Sequence, residues 1–376
     1  MRTSRPRSGL LGLVLPSYLL LFVWGLSAAA QVITVFPASS GGPTGITSGP
    51  DGNLWFTENG FQIGRITPTG TVTEFNLPGF QCSAGLPEGC LGRGIVAGPD
   101  GNLWFVREWS PPSIGRITTD GVVTGIGGVP AGQLLSITVG SDGNLWTAPW
   151  GTGEFDIIIR LTPTGNVTTF PIPWQAGTLA HGAWSLATGP DGNVWFTDPD
   201  NKRIGRITPS GEVTGFSLPA FVADAGIPNG ITGGPDNALW FTTFGVPEFI
   251  CRISTAGEVT GYPIANLTSG PQGICLGPDG NIWFTENTPP KIGRCTPTGV
   301  ITEYDVPGGL PWSITAGPDG NVWFTLSPFY IGRVNLGVVA AMEGKSIPAV
   351  SPAGLIILGI TLASAGFFLS RLAHRA

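Results

Sequence analysis

The chain's only imidazoles are His181 and His374, and histidine is the side chain whose ordinary pKa suits proton transfer near neutral pH. His181 lies in LAHGAW, three residues before Trp184, where it can turn inward as a base. Glu58 and Glu286 each end a WFTE segment. A carboxylate there suits metal or base work, and the plain alternative is that the repeat carries Glu as scaffold. A second set shares one position, just before a short segment such as GIT or SIT: Thr44, Arg93, Leu135, Trp184, Asn229, Gln272 and Trp312. Arg93, Trp184, Asn229, Gln272 and Trp312 combine aromatic walls with two amides and one cation. Such a mixture suits a small molecule, glycan or peptide, which apolar walls hold and a few polar groups orient.

The elements that would position these residues are repeats. Trp55, Trp104, Trp146, Trp195, Trp240, Trp283 and Trp323 recur in one motif, as in GPDGNLWFT. Their spacing of about 45 residues is that of four-stranded propeller blades. Each unit parses as four short strands: GIT, then NLWFT after an Asp-Gly turn, then IGRIT, then TVTEF after a Thr-Gly turn. Asx-Gly and Thr-Gly pairs suit tight turns that need positive φ. The fourth strand occurs after units one to six, but unit seven stops at residues 331–335. The missing strand stands at the other end, Val32 to Phe36, so the chain predicts an all-β, seven-bladed ring closed by its N-terminal strand. Closure removes the sheet edges that an open array would expose. The connections entering strand one and leaving strand two share one face of the ring, which also carries Trp150, Asp198, Phe244, Tyr330, Glu108 and Trp109. The Asp of each turn and the Arg of each third strand recur in every unit and read as scaffold.

Composition agrees. With 59 Gly and 35 Pro in 376 residues, a helix bundle is excluded. Hydrophobic residues at 41% and 13 Trp exclude a disordered chain. The net charge is −6, and the terminal segments hold five of the 18 basic residues and none of the 24 acids. Nucleic acid, which demands clustered Lys and Arg, is therefore not an expected partner.

Residues 1–30 read as a signal peptide: Arg2, Arg5 and Arg7, an apolar run from Leu10 to Leu26, then Ala28–Ala30. Residues 31–337 form the propeller and 338–352 a linker. Residues 353–376 form a C-terminal membrane or sorting segment, whose uncharged run 353–370 would span about 27 Å as a helix. Arg371 and Arg375 would stay cytoplasmic. The hexapeptide from Ile347 to Pro352, the short span and the basic end resemble the PEP-CTERM and IPTL-CTERM sorting signals, which implies a cell-envelope, surface or secreted location. In that oxidising compartment Cys82 and Cys90 are expected to pair. Cys251, Cys275 and Cys295 replace repeat residues within strands and read as small buried side chains.

The pattern GITxGPDGNLWFTE…IGRITPxGxVTEF over residues 32–335 resembles the streptogramin B lyase (virginiamycin B lyase) family. The resemblance implies a seven-bladed propeller with the same closure. It also implies elimination chemistry that opens cyclic depsipeptides with Mg²⁺ and without adding water. It further implies histidines before the first strands of units six and seven, and a carboxylate after the WF of unit seven. Here those positions hold Gln272, Trp312 and Thr325-Leu326-Ser327. Gln cannot titrate and indole only donates. The expectation is a monomeric binding or interaction module that needs no cofactor. The alternative is a lyase of streptogramin B type, with Mg²⁺, rebuilt around His181, Glu58 or Glu286.

Overall fold

A computed structural model describes residues 32–38, 41–59, 62–77, 91–107, 114–127, 129–130, 133–150, 156–174, 182–265 and 269–343. They form seven four-stranded antiparallel sheets. The expected signal peptide, the 353–376 segment, His181, Glu108, Trp109, Cys82 and Cys90 lie outside the described residues. Blade one runs from Pro43–Ser48 through Leu54–Glu58 and Gln62–Ile66 to Val72–Asn76, and the others repeat this order. In blade seven the fourth strand is Ile33–Pro37, antiparallel to Tyr330–Val334, with Ile33 opposite Val334 and Pro37 opposite Tyr330. Polar bonds also join the ends of the ring: Thr325 Oγ1 donates to Thr44 O at 3.0 Å and Arg333 Nη1 to Pro68 O at 3.0 Å.

The core lies between blades. Each repeat Trp is buried and packs on the next blade: Trp55 against Leu103, Phe105 and Ile117, and Trp323 back against Ile46, Leu54 and Phe56 of blade one. Truncating such a residue costs about 3–5 kcal/mol. A buried indole N–H needs an acceptor, and the turn aspartate supplies it. Asp51 Oδ1 accepts from Trp55 Nε1 at 3.0 Å, and Asp279 Oδ1 from Trp283 at 2.9 Å, with the same bond in the other five blades. The third-strand arginine lies over the same indole, as Arg65 does over Trp55 at 5.5 Å. It then reaches forward: Arg65 Nη1 donates to Thr119 O in blade two at 3.1 Å. The recurring Asp and Arg thus brace the blades.

A second recurring pair explains the Gly of IGR. A Cβ on Gly64 or Gly293 would lie 2.1 Å from Cζ of Phe56 or Phe284, so the ring occupies the space a side chain would fill. In blade three both partners change together: Thr147 stands opposite Ile159.

Cys251, Cys275 and Cys295 are free and buried, and burial pushes the Cys295 thiol up to about 12. An α-helix, Leu336–Met342, follows the last strand and buries Val339. Leu336 N donates to Asn321 Oδ1 at 3.0 Å, Asn335 N to Val32 O at 2.7 Å, and Arg294 pairs with Glu343. Among the described residues no helix is long and apolar enough to cross a membrane.

Candidate functional site: an open cup at the ring centre

The first strands line the central channel. In six of the seven, pairing to the second strand shifts register at one place: between Pro43 and Ile46, Leu91 and Ile95, Leu134 and Ile137, Pro228 and Ile231, Pro271 and Ile274, Pro311 and Ile314. Each interval contains the rim position read from the sequence. A bulge of this kind re-aims the side chain it carries.

The threonine after Trp-Phe holds the bulge. Thr285 Oγ1 accepts from Gly273 N at 2.9 Å and donates to Trp312 O of the next blade at 2.9 Å. Thr242 accepts from Gly230 N and donates to Gln272 O; Thr197 accepts from Ser185 N and donates to Asn229 O. Each hydroxyl therefore ties its own first strand to the rim carbonyl of the following blade. Blades two and three lack this relay, because Val106 and Ala148 occupy the position. The sequence carried this signal as WFT in units four to seven, against WFV and WTA; unit one also reads WFT, but there the Thr57 hydroxyl accepts from Gly45 N and bonds the Thr44 hydroxyl of its own blade. The sequence reading treated the segment as strand only.

The result is one cavity of about 250 Å³ into which Arg93, Trp184, Asn229, Gln272 and Trp312 all project. Its floor is aliphatic, including Ile46, Ile95, Ile231 and Ile274, and Ser136, Ser185 and Ser313 add hydroxyls to the wall. The sequence reading missed these serines. Arg93 reaches across the mouth, with its Nη1 3.4 Å from Gln272 Oε1. Its Cζ lies 4.7 Å from the Trp312 ring centroid and 5.8 Å from that of Trp184. Trp184 is itself set by an edge contact with Trp150 at 4.8 Å. Asn229 Nδ2 donates to Pro271 O at 3.2 Å, which ties blade five to blade six at the rim.

The two glutamates are not part of this lining. Glu58 and Glu286 are fully buried at the ends of their second strands. A Cβ on Gly41 would lie 2.4 Å from Glu58 Oε2, so the chain entering blade one packs directly on that carboxylate. Burial, helped by the charges of Glu303 and Glu248 and opposed by Lys291, pushes Glu286 up to about 8. Glu248, also buried, accepts from Ser269 N at 2.7 Å and Ser269 Oγ at 2.6 Å and holds the entry to blade six. In blade four the corresponding Asp198 accepts from Trp174 Nε1 at 2.8 Å. Glu248 and Asp198 thus tie top-face connections to their blades. Phe244 and Tyr330 are exposed on that face.

A hard dication takes anionic oxygen ligands. The described lining offers amide and hydroxyl oxygens beside a guanidinium that opposes a second positive charge, so this donor set does not suit Mg²⁺. Among the described residues no group of three or more His, Cys, Asp or Glu is placed to hold a metal ion.

Fold and site together define a seven-bladed propeller with one open cup where its first strands converge. The sequence model of the virginiamycin B lyase family matches residues 27–177 and 182–359, and the chain belongs to that family. It is 30% identical over 233 residues to a virginiamycin B lyase from Nocardia farcinica, covering 61% of this chain and 73% of that one. The crystal structure of selenomethionine-substituted virginiamycin B lyase from Staphylococcus aureus is similar at a TM-score of 0.70 and 31% identity, covering 80% of this chain and 98% of that one. A catalytically inactive histidine-to-alanine variant of the Staphylococcus aureus enzyme, crystallised with quinupristin, is similar at a TM-score of 0.69 and 31% identity over the same shares.

Proposed function

We propose that this protein is a ligand-binding or interaction propeller of the lyase family that lacks the family's catalytic histidines. It takes a small molecule, glycan or peptide in the central cup and needs no cofactor to do so. The observation that carries the reading is the convergence of Arg93, Trp184, Asn229, Gln272 and Trp312 on one cavity. Elimination requires a base within hydrogen-bond reach of the proton it removes. At the two positions where the family resemblance implies histidine, the cup presents an amide, Gln272, and an indole, Trp312. The alternative is a lyase of streptogramin B type, favoured by the 31% identity to the enzyme crystallised with quinupristin.

One experiment separates the two. The purified full chain is incubated with a streptogramin B antibiotic and Mg²⁺ and followed by mass spectrometry. The binding reading expects no turnover. Ring opening without gain of water, abolished by chelation, sinks it. Turnover that survives His181→Ala, Glu58→Ala and Glu286→Ala would assign the chemistry to other residues.

The proposal includes an address: export directed by residues 1–30 and membrane retention, at least transient, through residues 353–370. It rests on the basic, apolar and small-residue pattern of the first segment and the uncharged run of the second. Cell fractionation with and without the tail tests it, and a full-length cytoplasmic chain retaining Met1–Ala30 contradicts it.

A further inference from the structure

We propose that the top of blade six binds a calcium ion, held at the entry to its first strand by Glu286 and Glu248 together with the neutral oxygens of Ser269 and Asn287. Glu286 is fully buried, and among the described residues neither of its carboxyl oxygens has a hydrogen-bond donor. Buried polar groups are ordinarily satisfied, so a carboxyl in this position calls for a partner from outside the chain. The donors nearby are committed elsewhere. Ser269 Oγ lies beside Glu286, but its one proton goes to Glu248 Oε2 at 2.6 Å. Glu248 also takes the N–H groups of Ser269 and Gly270. Lys291 stands opposite Glu286 in the neighbouring strand, yet its ammonium is paired with Glu303 Oε2 at 2.6 Å. Asn287 gives its N–H to Ser269 O at 2.7 Å, while its Oδ1 is buried without a donor. Glu286 Oε1, Glu286 Oε2 and Asn287 Oδ1 are thus left as acceptors at one chain entry.

Charge points the same way. Glu248, Glu286, Glu303 and Asp305 act on this corner against the ammonium of Lys291. Excess negative charge and a set of oxygen donors suit a hard cation. Calcium takes about six to eight oxygens in flexible geometry, carboxylate and amide oxygens among them, whereas magnesium demands a near-ideal octahedron and keeps several waters. A carboxyl as deeply buried as Glu286 leaves little room for those waters. Two carboxylates completed by neutral oxygens make this site, which lies apart from the cup. The ion is structural, and it would brace the Ser269–Pro271 segment that leads into the rim residue Gln272.

The test is thermal melting of the purified full chain, stripped with EDTA and returned to chelator-free buffer, with calcium or magnesium chloride added at constant ionic strength. A dissociation constant of roughly 0.1–1 mM, ordinary for extracellular calcium modules, predicts that about 10 mM calcium raises the melting temperature by roughly 3–10 °C. Magnesium should give clearly less. Glu286→Gln keeps the shape of the side chain, removes its charge and should abolish the calcium shift. Should that variant fail to fold, Asn287→Ala, which keeps both carboxylates, should reduce the shift. The absence of a calcium shift overturns the proposal. An equal shift with magnesium, or a calcium shift that the variants leave intact, also overturns it. No step of this test uses a ligand of the cup, so its failure leaves the binding reading standing.

Discussion

Thr285→Val tests whether the threonine relay shapes the cup. Valine keeps the volume of threonine and removes the hydroxyl. Two bonds are lost, the one from Gly273 N at 2.9 Å and the one to Trp312 O at 2.9 Å. Each is worth about 1 kcal/mol net, and a polar group stranded away from water adds about 1–3 kcal/mol. Gly273 lines the open cup, so water can replace part of its lost bond, and the expected destabilisation is near the lower end, about 2–3 kcal/mol. At about 2–4 °C per kcal/mol for a large domain, the melting temperature should fall by roughly 4–12 °C. Thr285→Ser keeps the hydroxyl and loses one methyl, which should cost no more than about 1.5 kcal/mol. Scanning calorimetry reads the stabilities, and tryptophan fluorescence reads the freed rim residue Trp312. A Val variant as stable as wild type, or a Ser variant as damaged as the Val variant, would refute the claim that the hydroxyl holds the rim.

Gly293→Ile should destabilise by roughly 1–3 kcal/mol or more through overpacking, because a Cβ there meets Phe284 Cζ at 2.1 Å. Adding Phe284→Thr, which recreates the Thr147–Ile159 pair of blade three, should recover part of the loss. A denaturant-based double-mutant cycle showing strict additivity would contradict the pairing. The turn aspartates predict acid lability. Burial alone would raise Asp51, Asp100, Asp142 and Asp191, but hydrogen bonds from the neighbouring Asn and Trp outweigh it and hold them below 3.8. Folded carboxyls with depressed pKa values bind fewer protons than unfolded ones, so their stabilisation is present above about pH 4 and is lost as pH falls through the folded values. Glu286 acts oppositely. Raised from 4.5 to about 8, it keeps in the fold a proton that the unfolded chain has released, so stability declines as pH rises between those values. Glu286→Gln should flatten that decline in melting curves recorded across the interval, and an unchanged slope would show that the carboxyl is not strained by burial.

Much of the ring was legible because its determinants are local and repeated. The Asp of the turn and the Trp four residues on form the same bond in every blade, and the period of the motif counts the blades. A fourth strand missing after residue 335 and present at Val32 requires closure, as the Ile33–Val334 pairing shows. The rim positions were legible for the same reason, since they precede one recurring segment. What a repeat cannot encode is the meeting of its exceptions. Arg93 and Gln272 are 179 residues apart, and their side chains approach across the mouth only once seven blades have closed and a bulge in each of their two first strands has turned them inward. Glu58 and Glu286 had the residue type and the face expected of a site, but their burial depends on the chain laid over each second strand, with Gly41 above one and the Ser269 entry beside the other. The helix Leu336–Met342 likewise forms beyond the last repeat, anchored through Asn321 and Val32. Short-range hydrogen bonds are written in the spacing of residues along the chain. Desolvation and convergence are properties of the closed ring, because they depend on which distant groups exclude water from one another.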